Sequence, residues 1–352
     1  MIARRDAGLR IVSIGGGTGL STLLGGLKAY VGQKSHLPDW IDQLTAVVTV
    51  TDDGGSSGRL REEFGMLAAG DIRNCIAALA EDQNLLTKLL RYRFQSSGEL
   101  AGHNFGNLFL TALTNVTGDF LEAIRVISEV LAIKGRIVPS TMENAQLMAE
   151  LDDGRIIEGE SKITNARAQI KRLWLKPEKC KPLPETLEAI YEANVITIGP
   201  GSLYTSIIPN LLVDHIVEAI CESSALKIYI SNIMTQPGET TGFSGEDHLR
   251  ALFEYSSNLK LDYVIVNTAP ISVELLEKYL ADGSVPVEFQ ADEFDFAGNK
   301  LRLLQGDLLH EGELVRHDSQ KLARLIVDLY LTEVLKMPRF DLNDSSHQEF
   351  TC

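Results

Sequence analysis

The chain has 352 residues, 44% of them hydrophobic, and its 48 acidic and 33 basic side chains give a formal charge of −15 at pH 7. That length admits one large α/β domain or two smaller ones. The charge excludes a broad nucleic-acid or anionic-membrane surface but leaves room for a small phosphorylated ligand held by a local set of donors. Cys75, Cys180, Cys221 and Cys352 form no CxxC pair and show no His-rich spacing, so a structural zinc site or disulfide framework is not expected, and a cytoplasmic protein is. Neither a signal peptide nor a membrane-inserting segment is expected.

Leu9 to Ile14 reads as a short strand that runs into Gly15-Gly16-Gly17-Thr18-Gly19, with a helix from Leu20 to Lys28. A polar connection over 31–43, ending near Trp40, leads to a second strand at 44–50 and then to Thr51-Asp52-Asp53-Gly54-Gly55-Ser56-Ser57-Gly58-Arg59. Asp71 is placed to cap a helix over 72–80. A helix over 85–92, a polar loop around Ser96, a helix opened by Gly102 to Asn107 and another begun by Asp119 follow. Short strands at 136–138, 145–151, 155–160 and 170–175, with an Asp152-Asp153-Gly154 turn, predict a β-rich insertion at 135–175. Alternation then resumes: helix 185–193, strand 195–198, the loop Gly199-Pro200-Gly201-Ser202, strand 225–231 ending in Asn232, helix 245–255, strand 262–266, helix 272–280, strands 285–289 and 301–304, and a last helix from Asp318. The expectation is one Rossmann-like α/β domain over 9–330, doubly wound on a mostly parallel sheet, with 338–352 a disordered tail.

The polar loops carry the chemistry. In an open α/β sheet, ligands sit beyond the carboxyl ends of the strands. Gly15 to Gly19 sits between strand and helix, where backbone amides and the helix dipole suit a phosphate. It is neither GxGxxG, since position 20 is Leu, nor a P-loop, since no Lys precedes the next hydroxyl residue. A nicotinamide enzyme is disfavoured, because Asp52 lies well beyond the spacing at which a ribose-binding acid follows such glycines. In the second loop, Asp52 and Asp53 can hold a hydroxyl, a metal or a proton, while Gly54, Ser56, Ser57 and Arg59 suit anionic oxygens. Gly199, Gly201, Ser202 and Thr205 repeat the logic at a later strand, Ser202 serving equally well as a helix cap. Asp71, Arg73 and Asn74 lie within one helical turn, and His103, Asn104 and Asn107 bracket a helix start. Each set reads either as ligand contact or as local structure. Two anion loops on one edge suit a nucleoside diphosphate derivative.

Together, Gly15 to Ser21, Thr51 to Leu60, Gly70 to Asn74, Gly102 to Leu108, Gly199 to Ser206, and Asn232 with Met234 to Thr240 resemble the bacterial gluconeogenesis factor family (YvcK-like). That family shares a superfamily with the 2-phospho-L-lactate transferases (CofD-like). The resemblance spans about Leu9 to Tyr330 and departs from the family pattern at Leu67-Ala68-Ala69 and Asn104. It implies a cytoplasmic binder of UDP-N-acetylglucosamine or a related nucleotide, supporting cell shape and growth on gluconeogenic carbon, with Tyr279 and Arg316 as further contacts. It implies no required cofactor and admits a homodimer. The competing expectation is a transferase that moves a phospho-lactyl group from a guanosine nucleotide to a deazaflavin precursor with Mg²⁺.

Overall fold

The computed structural model describes residues 8–32, 41–81, 85–95, 97–296 and 298–336. Trp40, the centre of the loop at Ser96 and the tail over 338–352 lie outside those residues. In chain order the first half comprises β1 (Leu9–Gly15), α1 (Gly17–Leu27), β2 (Ile41–Val48), α2 (Gly55–Phe64), α3 (Gly70–Leu79), α4 (Leu85–Arg91), α5 (Phe105–Thr117), α6 (Phe120–Val130) and β3 (Arg136–Pro139). There follow β4 (Gln146–Leu151), β5 (Ile156–Glu158), α7 (Glu160–Asn165), β6 (Ile170–Lys176), α8 (Pro184–Glu192) and β7 (Val195–Ile198). The remainder is α9 (Ile208–Leu211), α10 (Ile216–Glu222), β8 (Leu226–Ile230), α11 (Gly245–Tyr255), β9 (Tyr263–Asn267), α12 (Val273–Ala281), β10 (Glu293–Phe296), β11 (Asn299–Gly306), β12 (Leu309–Glu311), β13 (Val315–His317) and α13 (Ser319–Glu333).

Eight strands form one sheet in the order β10-β11-β9-β8-β7-β1-β2-β3, parallel throughout except for the β10–β11 edge pair. The strand order reverses between β1 and β7, as in a doubly wound fold. Side chains alternate across the sheet, as the two-residue period of a strand requires. Leu9 and Ile11 of β1, Ile228 and Ile230 of β8 and Tyr263 and Ile265 of β9 join one buried layer; Val12, Ile14, Tyr229, Val264 and Val266 join the other. The first layer packs on α1, α3, α6 and α13 through residues such as Leu20, Leu24, Ile76, Ile124 and Ile326. The second packs on α8 to α11 and on the insertion, through Ile190, Ile207, Ile220, Leu252, Leu147 and Leu173.

Three local expectations change. The strand at 136–139 pairs with β2 and belongs to the main sheet, so the separate sheet of the insertion is the antiparallel β5-β4-β6, with α7 between its strands. Asp71 stands inside the first turn of α3, after Ala69 as the capping position, so it is not the N-cap. Its carboxylate turns instead to the neighbouring loop, and a short-range cap signal does not register that partner. The stretch 285–289 forms no strand; only Pro286 bridges to Met234.

Candidate functional site

Because β2, β1 and β7 run parallel side by side, the loops that follow them open on one edge of the sheet. The first and third meet at the switch point. An ideal Cβ on Gly19 would lie 2.4 Å from the Pro200 carbonyl oxygen, so only glycine lets the two loops touch. A Cβ on Gly16 would lie 2.5 Å from Asp71 Oδ2. α1 begins here with Gly16 at its cap position and no side-chain cap. The Gly17 amide is taken by Asp71. Thr18 and Gly19 carry the amides that follow, beside an open cleft.

That cleft has a volume of about 520 Å³. Gly16, Gly17, Thr18, Gly19, Gly201, Ser202, Asn232, Tyr279 and Arg316 all line it. Ser202 Oγ accepts from Gln236 Nε2 at 2.8 Å, fixing the loop after β7 against the loop after β8. The Tyr279 hydroxyl accepts from the Val315 amide at 3.0 Å. This bond ties α12 to the β12–β13 hairpin that carries Arg316. Sequence reasoning did not find the wall made by Thr164, Asn165 and Arg167 at the end of α7, nor Asp282; Gln236, inside the Met234–Thr240 block, and His317, beside Arg316, also line the cleft. Arg167 reaches Asp282 at 3.2 Å, joining insertion and α12. The only prior sign of this wall was the insertion itself. His317 is buried, and burial holds its imidazole down to about 4 against a hydrogen bond with the Ser231 backbone.

Behind the glycine loop lies an acidic group. Burial first, then the nearby Asp52, raises the Asp71 carboxyl to about 7, while bonds from Gly17 and Asn74 and the charge of Arg73 oppose the shift. Burial likewise lifts Glu239 to about 7, against hydrogen bonds from Thr164, Thr205 and the Tyr204 backbone. Glu160 rises well above the carboxylate range through burial and the charges of Asp71, Asp52, Glu239 and Asp53. Two of these acids also have structural duties: Asp53 Oδ1 accepts from the Ser161 amide and Asp52 Oδ1 from the Gly54 amide, both at 2.8 Å. Thr205, also expected at the site, is buried and donates to Glu239 at 3.4 Å. No group of three or more His, Cys, Asp or Glu side chains among the described residues is disposed to hold a metal ion.

Beyond the acids the charge changes sign. Ser56 Oγ accepts from the Asn104 amide at 3.1 Å and lies 3.2 Å from His103 Nδ1, so its hydroxyl hydrogen is free to go to the ring. Burial and Arg59 lower the His103 pKa, Glu63 raises it and Arg93 lowers it. Asn107 donates to Ser57 Oγ at 3.1 Å and accepts from Arg73 Nε at 2.8 Å. Arg59 Nη2 donates to the Ala101 carbonyl at 2.8 Å, and Arg93 Nη1 to that of Gly102 at 2.6 Å. The predicted residues thus fall into two neighbourhoods on one sheet edge. Gly16 to Gly19, Gly201, Ser202, Asn232, Tyr279 and Arg316 form the cleft; Ser56, Ser57, Arg59, Arg73, His103, Asn104 and Asn107 form a polar network over α2 and α5. Asp52, Asp71 and Asn74 stand between them, and Gly15, Gly54 and Gly199 are backbone of the loops.

Architecture and site together define a Rossmann-like α/β protein with its glycine-rich loops and cleft at the sheet's switch point. The family described as 2-phospho-L-lactate transferase CofD matches residues 11–309. The gluconeogenesis factor of Bacillus subtilis (strain 168) is 45% identical over 321 residues, 91% of this chain and 98% of its own length. A relative from Aquifex aeolicus (strain VF5) is 47% identical over 331 residues, covering 93% of this chain and 98% of its own. A crystal structure of a UPF0052 family member from Bacillus halodurans superposes with a TM-score of 0.82 at 43% identity, covering 90% of this chain and 98% of that one. The chain belongs to the CofD family, in the branch that contains the gluconeogenesis factors. No helix among the described residues is long and apolar enough to cross a membrane.

Proposed function

We propose that this protein is a cytoplasmic regulatory binder of a nucleotide-sugar of the UDP-N-acetylglucosamine type, required for cell shape and growth under gluconeogenic conditions. The observation that carries the reading is the cleft at the switch point. Thr18 and Gly19 at the start of α1, past the Gly17 amide taken by Asp71, line it beside Gly201 and Ser202 of the loop after β7, and Arg316 and Tyr279 stand on the same cleft. Backbone amides and one arginine suit a diphosphate. A volume of about 520 Å³ lies within the range of roughly 300–1,000 Å³ usual for small-molecule sites. The family's gluconeogenesis-factor members support the physiological part.

A second reading, a transferase of the phospho-lactate type, is supported by the description of the matching family. Calorimetric titration separates the two. The regulatory reading expects UDP-N-acetylglucosamine to bind and to lose less than about tenfold in affinity on adding EDTA, a change under about 1.4 kcal/mol, with no product formed over hours. Metal-dependent binding of a guanosine nucleotide with turnover of a deazaflavin precursor would replace the first reading with the second.

A further inference from the structure

The network over α2 and α5 lies outside the lining of the cleft at the switch point, and its charge is out of character with the rest of the chain. In a protein of net charge −15, three arginines converge on one loop cluster. Arg93 Nη1 lies 3.9 Å from where a Cβ on Gly55 would be, Arg59 Nη2 lies 3.6 Å from the same position on Gly102, and Arg73 lies across Gly106. Arg59 and Arg93 are exposed and Arg73 half-buried. None of the three forms an ion pair among the described residues, whereas Arg10, Arg125, Arg155, Lys171, Arg250 and Lys321 each do. Each uses one donor on a carbonyl or amide oxygen and keeps the rest of its fork.

The backbone adds to this field. α2 is ten residues long, its cap position is Gly54, and no side chain caps it. Neither the Gly55 nor the Ser56 amide is hydrogen-bonded among the described residues, and Gly55 is exposed. Three guanidinium groups beside the positive end of a helix repel one another, and an anion relieves that repulsion. Asp52 and Asp71 attract Arg73 through space, but among the described residues no carboxylate reaches any of the three within 4.0 Å.

We infer that the protein binds a second ligand, separate from the nucleotide, by a phosphate group seated between Arg59, Arg73, Arg93 and the uncapped amides of Gly55 and Ser56. The convergence of planar donor forks with helix amides suits a tetrahedral dianion. Both termini, of α1 and of α2, open on one sheet edge with Asp52 and Asp71 between them, so the two ligands would lie end to end. This placement does not depend on which nucleotide occupies the first cleft.

The test is calorimetric titration of the full chain with inorganic phosphate, at constant ionic strength against chloride. Wild-type protein should bind one phosphate. Arg59→Ala/Arg93→Ala, two exposed changes, should weaken it by about tenfold or more, the loss of at least one charge-assisted contact. Arg316→Ala, in the other cleft, should leave phosphate affinity within about twofold. Circular dichroism checks that the double variant folds. If it does not, tungstate soaked into wild-type crystals should appear against the Gly55 amide. The inference is overturned by absence of phosphate binding in the wild type, by undiminished binding in the folded double variant, by loss in Arg316→Ala instead, or by tungstate on the Gly16–Gly19 loop alone.

Discussion

Replacing Asp71 with Asn should stabilise the ligand-free protein at alkaline pH and leave it unchanged in acid. Asp71 is buried, its carboxyl sits at about 7 against an ordinary 3.8, and the largest cause is burial itself. A group whose folded pKa is raised binds its proton more tightly in the native state, so the native protein loses stability as pH rises from the unfolded value to the folded one. Three pKa units correspond to about 4 kcal/mol, an upper bound because Asp52 shares the charge. Stability should therefore be full below about pH 4, fall through the interval to 7, and level off above it. Asn keeps an oxygen for the Gly17 amide and cannot ionise. Urea denaturation at pH 5 and pH 8 is the assay: wild type should lose a few kcal/mol between them, and Asp71→Asn less, with Glu239 supplying a remainder of the same sign. A diphosphate beside Asp71 should favour its protonated form, so nucleotide affinity should rise from pH 8 to pH 6 in the wild type only. A variant less stable than wild type at pH 8, or an undiminished pH slope in the variant, would refute the reasoning.

Three further outcomes are expected. Gly19→Ala forces the loops after β1 and β7 apart, since its methyl would sit 2.4 Å from the Pro200 oxygen; it should cost about 1–3 kcal/mol of stability by urea melting and abolish nucleotide binding. Arg316→Ala removes an exposed side chain from the cleft and should weaken nucleotide binding by about 1.5–3 kcal/mol in calorimetry while leaving the melting temperature in place. Asp53→Ala leaves the Ser161 amide without its partner and should cost about 1 kcal/mol, so that hydrogen exchange over α7 quickens before binding is affected.

The fold was legible because its parallel strands are apolar runs ended by glycine-rich loops, and buried parallel strands must be. Gly15 to Gly19, Thr51 to Arg59 and Gly199 to Ser202 could be put on one edge from sequence, since each follows such a run. Tyr279 and Arg316 came only through family resemblance; nothing in their local pattern marks them. The wall from Thr164 to Arg167 was invisible because its position depends on how the insertion folds back, a contact more than a hundred residues long in sequence. Asp53 was legible as a polar loop residue but not as the cap of α7, for the same reason. Nothing in the local sequence marks the carboxyls of Glu160 and Glu239 as raised; burial in the folded chain is the first cause. The unpaired state of Arg59, Arg73 and Arg93 is also a three-dimensional fact, since carboxylates are plentiful along the chain.

β1 lies in the interior of the sheet, with β2 on one side and β7 on the other. During synthesis the first strand thus waits some 180 residues for its second neighbour, Val195–Ile198, to be made. Until then Val12, Ile14 and Val47 have an open apolar face. The hairpin bearing Arg316 arrives later still, and α1 gains its α13 neighbour only at the end. On the proposed reading, ligand capture would be a property of the finished chain, and nucleotide binding would serve as a readout of complete folding. A nascent chain stalled before β7 would present the sticky face that chaperones recognise.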